Sequence, residues 1–444
     1  MKFSRLSGAA LAVAALVAAM VASAAYGITT AAVGGQLDFR SCISGSGSDT
    51  CSPVVDMDAP SAMALADDES RVFVVSPSDD AVAVFERDRV SGALKQLKMD
   101  SGNNQGGCTN EDGSDNCLDG HGLVGANDVV SVGGNAYIAA TGSNALVTLT
   151  KDAQSGRWKE LDNNGSNQQF CLSTPSITGC GGANGLGGAE SITAFGSYVY
   201  VGGPGRIAAF HRGTKGALKQ LSDEAGCIGT GTGCTGGLGF GTIVDMMISR
   251  DGKTLYAVDG SDVLVFQRNK TTGALTQIPS PSLSNVSGPI GVTADQQGTP
   301  TSVYVAGSNN VVGVFGRNKS TGALTQLAGT DGCVSAGGGA CTAGPRLASI
   351  GSLSRLFAYK TNRFVYVAGS SGVAAFGRTK SGVHAGALTP LADPAGCVNE
   401  TGTGPCLIGK GIGGLTDIFS TGGGKHIYVS GTTFDSVVTF HQGG

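Results

Sequence analysis

The chain has 444 residues, 74 of them glycine, with 6% aromatic and 14% charged residues and a formal net charge of −4. The mild acidic excess argues against a nucleic-acid partner, which selects for a basic face. So much glycine fits either disorder or tight turns, and the gathering of apolar residues into short β-branched runs selects a turn-rich β protein.

In chain order, residues 1–25 read as a secretory signal peptide. Lys2 and Arg5 precede an alanine-rich apolar run that ends in Ala22-Ser23-Ala24, with cleavage expected after Ala24 or Ala25. The run is marginal in length for a bilayer span, and no membrane span is expected once it is removed. Losing Lys2 and Arg5 leaves 27 basic residues against 33 acidic ones, a charge of −6. The predicted mature domain is 26–444, and the expected location is secreted, periplasmic or at the cell surface.

The next readable unit is RVFVVSPSDDAVAVFERDRVSGALKQL, residues 71–97, three short strand-like runs separated by turn residues. It returns from 197, 254 and 302, and in diverged form from Asn135, Phe364 and His426. Each copy follows another short apolar run, such as NDVVSV or VDMMIS. The unit is therefore four strands, A to D, and seven such units predict an all-β, seven-bladed β-propeller with four antiparallel strands per blade. Strands A to C occur seven times, but the GALTQL-type strand D follows them only six times. The segment GGQLDFRSC (34–42) matches that missing strand. The N-terminal strand is thus expected to pair with the C-terminal blade and close the ring, leaving no open sheet edge.

All 12 cysteines fall into six local pairs: Cys42/Cys51, Cys108/Cys117, Cys171/Cys180, Cys227/Cys234, Cys333/Cys341 and Cys397/Cys406. Export would let them persist as disulfides. Six to eight intervening residues and only five scattered histidines do not suit zinc, whose paired ligands sit two to four residues apart. The pairs are expected in the connections from strand D to the next strand A, one per blade, with only 279–291 lacking one.

Because strands alternate direction, the D-to-A and B-to-C connections share one face, which collects acids including Asp49, Asp79, Asp100, Asp223, Glu224 and Asp435. The opposite face carries Arg87, Lys151, Arg212, Arg268, Arg317 and Arg378 at one register, expected to pair with turn acids such as Asp68, Asp88, Asp152 and Asp251. On the acidic face, NEDGSDN places Asp112 and Asp115, with Asp119 nearby, as candidate calcium ligands. The pattern lacks the bidentate Glu of a full calcium loop. Near the start of strand A, Asp128, Glu190, Asp245 and Asp417 are candidates to converge at the channel mouth, with His121 beside them, and such a set suits general acid or base work. No nucleophile elbow, zinc-protease helix or dinucleotide fingerprint occurs, and no other cofactor is expected.

The repeat YVAGSNNVVGVFGRNKSTGALTQL, 304–327, resembles the repeats of the seven-bladed propeller lactonase family, which includes 6-phosphogluconolactonases and the YVTN-type surface propellers. The likeness spans nearly the whole mature chain and rests on scaffold motifs. The family's activity implies hydrolysis of a sugar lactone. None of its catalytic motifs is matched residue by residue, and the acidic face offers no basic cluster for a phosphate. The reading from sequence is an exported, disulfide-tied binding or interaction module for an extracellular protein, glycan or small-molecule ligand, with a lactonase-like hydrolase as the alternative.

Overall fold

A computed structural model describes residues 34–443 except 48–49, 98–106, 162–170, 223–224, 232, 237–238, 297, 299 and 359–362. The leader and Asp49, Asp100, Asp223 and Glu224 lie outside the described residues. Strands dominate, arranged as seven separate sheets in sequence order around a ring, their A-to-D strands antiparallel. Blades 1 to 7 have their strands A at Ala62–Leu65, Ala126–Val132, Ser191–Phe195, Asp245–Ile248, Pro289–Ala294, Leu353–Ala358 and Leu415–Ser420. These innermost strands line the channel. The predicted closure is present: Leu37–Ser44 pairs antiparallel with Ser436–Gln442 and supplies strand D of blade 7.

Seven apolar clusters hold the ring, one at each junction between blades. Burying a side chain such as Phe85 or Phe210 in these clusters contributes roughly 1.5–3 kcal/mol. Polar latches run through the same junctions. The hydroxyls of Tyr200, Tyr256, Tyr304 and Tyr428 donate to the carbonyls of Gly273, Gly322, Gly386 and Gly92 in the next blade. Each accepts at 2.7–2.8 Å from Nε of Arg268, Arg317, Arg378 or Arg87 of that next blade.

The predicted pairing of the arginine register with turn acids holds in part: besides Asp251, Asp295 meets Arg378 at 2.9 Å and Glu69 lies 3.8 Å from Arg87. Asp251 does meet Arg317 at 3.1 Å, but Asp68 binds Ser70, Asp88 caps its own turn and Asp152 takes Lys159. The phenols and backbone carbonyls supply further partners of these buried guanidiniums. Where strand B of blade 1 carries Phe73 in place of Tyr, blade 2 carries exposed Lys151, and Phe73 packs edge-on against Trp158 at 4.6 Å.

The cysteines are bonded in the expected pairs, but the first of each pair does not stand where it was expected. Disulfides join Cys42 to Cys51, Cys108 to Cys117, Cys171 to Cys180, Cys227 to Cys234, Cys333 to Cys341 and Cys397 to Cys406, and no described cysteine is free. In five blades strand D comes in two pieces against one strand C: in blade 1, Leu94–Gln96 and then Cys108–Asn110. Val84 bonds both pieces, accepting from Leu97 N–H and donating to the Gly107 carbonyl, so the two pieces follow one another along the same strand C. The first cysteines are therefore corrected from the loop into strand D: Cys42 lies inside Leu37–Ser44, while Cys108, Cys171, Cys227, Cys333 and Cys397 each open the second piece.

The second cysteines stand in the D-to-A connections as expected, all but Cys180 outside any strand, and after each bridge the chain returns as a short parallel edge strand. Cys51, Cys117, Cys234, Cys341 and Cys406 directly precede those strands, Ser52–Pro53, Leu118–Asp119, Thr235–Gly236, Thr342–Ala343 and Leu407–Ile408. Cys180 begins its own, Cys180–Gly182, and pairs in register with Cys171. These blades thus exceed the four strands predicted. Parallel neighbours normally need a long crossover; the bridge ties a much shorter one. The glycine before the first cysteine is steric: a Cβ at Gly107 or Gly332 would lie 2.4 or 2.2 Å from the carbonyl oxygen of Leu97 or Leu327. Blade 4 has an unbroken strand D, Leu275–Ile278, and no bridge.

Candidate functional site

Pairing registers define a ring of seven residues around the channel. Each faces the strand-B residue two positions beyond that strand's central aromatic: Ala62, Asp128, Ser191, Asp245, Gly291, Arg355 and Asp417, in blades 1 to 7. Register shifts sit beside the ring position in blades 2, 5, 6 and 7. Such bulges re-aim side chains. Each aspartate reaches into a neighbour whose own ring residue is small. Oδ2 of Asp128, Asp245 and Asp417 accepts at 2.8 Å from the N–H of Ile192, Val292 and Met63 respectively.

Arg355 reaches back across two blades, donating to the carbonyls of Ile290 at 2.9 Å and Val244 at 3.2 Å. Asp128, Asp245, Arg355 and Asp417 line a cavity of about 230 Å³ with Met63, Met246 and Phe357 among its apolar walls. All four keep part of their surface open to the channel. Depth in the protein raises the Asp128 carboxyl to about 7, against the lowering by the Ile192 N–H and Arg355 and with further raising by Asp417 and Asp245. Asp417 is raised by burial too, partly offset by Arg355. Burial works to lower Arg355, but Asp245, Asp417, Asp128 and Glu190 together hold it above its ordinary value.

Of the predicted channel set, Asp128, Asp245 and Asp417 are brought together. Glu190 stands one residue ahead of the ring position, adds its field to Arg355 and does not line the cavity. His121 does not line it either. Its backbone N–H and Nδ1 meet the two oxygens of Glu160 at 2.7 and 3.1 Å. Other blades place a glutamine at the Glu160 position: Gln96, Gln220 and Gln326 clamp the backbone N–H and carbonyl of Val55, Asn184 and Ser284. Glu160 has no amide to return a hydrogen bond to the backbone carbonyl, and its second oxygen is shared with His121 Nδ1 instead. The expectation of His121 at the channel mouth gives way to this structural role.

Arg355 was missed by the sequence reading. Aligning LSRLF with LTDIF of blade 7 on the strand-B aromatics puts Arg355 where Asp417 stands, and that signal was available.

The calcium candidates are not gathered into one ligand set. Asp112 accepts from Ser114 N–H in its own turn, and Asp115 faces Asp56. Among the described residues the one cluster with three potential metal donors is Asp56 with Cys108 and Cys117, whose sulfurs are bonded to each other.

Solved structures share this fold at low identity. A candidate 6-phosphogluconolactonase from Bacteroides uniformis superposes with a TM-score of 0.50 at 15% identity, covering 74% of this chain and 83% of that one. A protein of unknown function from Desulfotomaculum acetoxidans gives 0.51 at 12% identity, covering 81% and 88%. A protein from Lactobacillus plantarum gives 0.50 at 14%, covering 80% and 86%. No protein-family model matches the chain, and no curated protein does.

Proposed function

We propose that this chain is a lactone hydrolase that works outside the cytoplasm, with its reaction centre in the central channel. The observation that carries the reading is the Asp128 carboxyl, held at about 7 beside the Arg355 guanidinium in a cavity of about 230 Å³. A base poised near ambient pH next to a fixed cation is the pairing that ester and lactone hydrolysis needs. Asp128 takes a proton from water as the water oxygen bonds to the lactone carbonyl carbon. Arg355 compensates the charge that develops on the carbonyl oxygen. The ring C–O bond then breaks, its oxygen takes the proton back from Asp128, and the open hydroxy acid loses its carboxyl proton to solvent and leaves as its carboxylate.

The cavity is smaller than the roughly 300–1,000 Å³ of sites for drug-sized ligands, which limits the substrate to about one ring. Three aspartates against one arginine disfavour a phosphorylated lactone and favour release of the anionic product. The fold shared with the B. uniformis protein supports the same reaction class. Six disulfides fit folding in an oxidising compartment, and secretion by the 1–25 leader accounts for it. This reading takes precedence over a binding module, because among the described residues Asp112, Asp115 and Asp119 form no three-donor cluster.

Hydrolysis of a neutral aldonolactone, with the spontaneous rate subtracted, tests the assignment. Asp128→Asn is expected to lower kcat by roughly 10²–10⁴-fold with little change in KM. The rate should rise with pH through about 7 as Asp128 loses its proton. Equal turnover by wild type and Asp128→Asn, or none above background across δ- and γ-lactones, refutes it.

A further inference from the structure

A second cavity lies outside the channel. It measures about 580 Å³ and opens on the face of the disulfide loops, where blade 6 meets blade 7. Its walls come from the bridged loop of blade 6, the two B-to-C turns and the segments entering both strands A. The channel residues Asp128, Arg355 and Asp417 are not among them.

The chemistry of the lining is narrow. Thr403 and Ser371 supply hydroxyls, Asn399 an amide, Ile412 an apolar wall and half-buried Phe434 an aromatic ring. No Lys or Arg is among the described lining residues, and the one carboxylate there, Glu400, accepts from Ile412 N–H and lies 3.6 Å from Lys410. Anions therefore find no counter-charge in the lining, and a cation finds an acid already engaged. Asn399 is 3% exposed; its Nδ2 donates to the Thr403 carbonyl at 3.1 Å, while its Oδ1 has no partner. A buried acceptor without a donor calls for an explanation. The Phe434 carbonyl is held by Ser44 Oγ at 2.7 Å, which fixes the turn that carries the ring.

We propose that this cavity binds a neutral saccharide of one or two rings. Alternating hydroxyl donors and acceptors match sugar hydroxyls, and an aromatic face beside them matches the C–H-bearing side of a pyranose. The volume lies inside the range of small-molecule sites. The site is separate from the proposed channel reaction, so the protein would hold a glycan on its rim independently of turnover.

The test is calorimetric titration of the full mature protein with maltose, cellobiose, lactose and N,N′-diacetylchitobiose, with inorganic phosphate and glucuronate as anionic controls. At least one neutral disaccharide is expected to bind, and to bind more tightly than either anion. Phe434→Leu, which keeps apolar volume and removes the ring face, should weaken it roughly fivefold to tenfold, and Phe434→Ala at least as much. Asp128→Asn should leave binding unchanged while abolishing any turnover. The proposal falls if no disaccharide binds at tens of millimolar, if Phe434→Leu binds as wild type does, or if Asp128→Asn abolishes binding.

Discussion

The loops at 108–119 and 397–408 are sisters that ended in different surroundings. Both begin Cys-x-Asn-Glu and share one frame. Asn110 and Asn399 donate from Nδ2 to the main-chain carbonyl four residues on, Ser114 and Thr403. Glu111 and Glu400 accept from the N–H of Leu123 and Ile412 in the segment entering the next blade. Even the unpartnered amide oxygen is common to the two asparagines. What differs lies outside the loops. Asp56 and Ser349 each stand six residues before their blade's ring position. Around Asp56 gather Asp79, Asp115 and Asp112, whereas Ser349 opens on the hydroxyl-lined cavity. The frame carries stability, and its neighbours carry chemistry.

The largest effect expected is common to both loops. Replacing Cys108 and Cys117 together by serine, or Cys397 and Cys406, removes a bridge closing about ten residues, which the chain-entropy account values at up to about 3 kcal/mol. Thermal unfolding should show similar losses for the two double variants. A large loss at one loop and none at the other would break the equivalence of their frames.

A smaller effect should separate the loops. Burial raises the Asp56 carboxyl to about 7, reinforced by Asp79 and Asp115 and opposed by the hydrogen bond with Asn110. Between its ordinary value of 3.8 and about 7 the folded state holds a proton that the unfolded state has released. Stability contributed at this site is therefore fully present below about 4 and is lost as pH rises through 7. Asp56→Asn should flatten the decline of Tm between pH 5 and 8, while Ser349→Ala leaves the decline as in wild type. An unchanged pH slope in Asp56→Asn would show that the carboxyl titrates normally.

The fold was legible where apolar periodicity repeats. Seven Tyr or Phe positions in strand B, six GAL-type turns and the stray GGQLDF were enough to close the ring from the residues alone. The cysteine partners were legible from spacing, but the places of the first cysteines were not, because a strand D written in two separate pieces of sequence reads as a strand followed by a loop. Only the bonds of Val84 to both halves reveal the continuity. The edge strands that follow Cys51, Cys234 and Cys341 were hidden for another reason: two residues are too few to show any alternation. In the channel, three of the four charged ring residues were found because a carboxylate in an apolar run is conspicuous. Arg355 is not legible in the same way, because its partners, the carbonyls of Val244 and Ile290, belong to blades 4 and 5. His121 was misassigned for a related reason. Its meaning depends on Glu160 replacing a glutamine 39 residues later.

That substitution gives the last and smallest effect, a swap predicted to cost almost nothing. In blade 2 the loop downstream of the 108–117 bridge is clamped by His121 and Glu160; in blade 5 the same task falls to Ser284 and Gln326. Glu160→Gln alone leaves two side chains that no longer complement each other in the same way, and Glu160→Ala leaves the buried His121 N–H without its acceptor, at a cost of roughly 1–3 kcal/mol. The double variant His121→Ser/Glu160→Gln recreates the blade 5 clamp, in which one amide both accepts from and donates to the backbone. It should unfold within about 0.5 kcal/mol of wild type. Because burial holds Glu160 at about 7, its folded form keeps a proton at pH 5–6 that the unfolded chain lacks, so stability drawn from it fades as pH rises through 7. The double variant has no such carboxyl and should gain relative to wild type from pH 6 to 8. Loss of lactone hydrolysis in this stable double variant would return His121 to the reaction centre; retained activity leaves it in the frame.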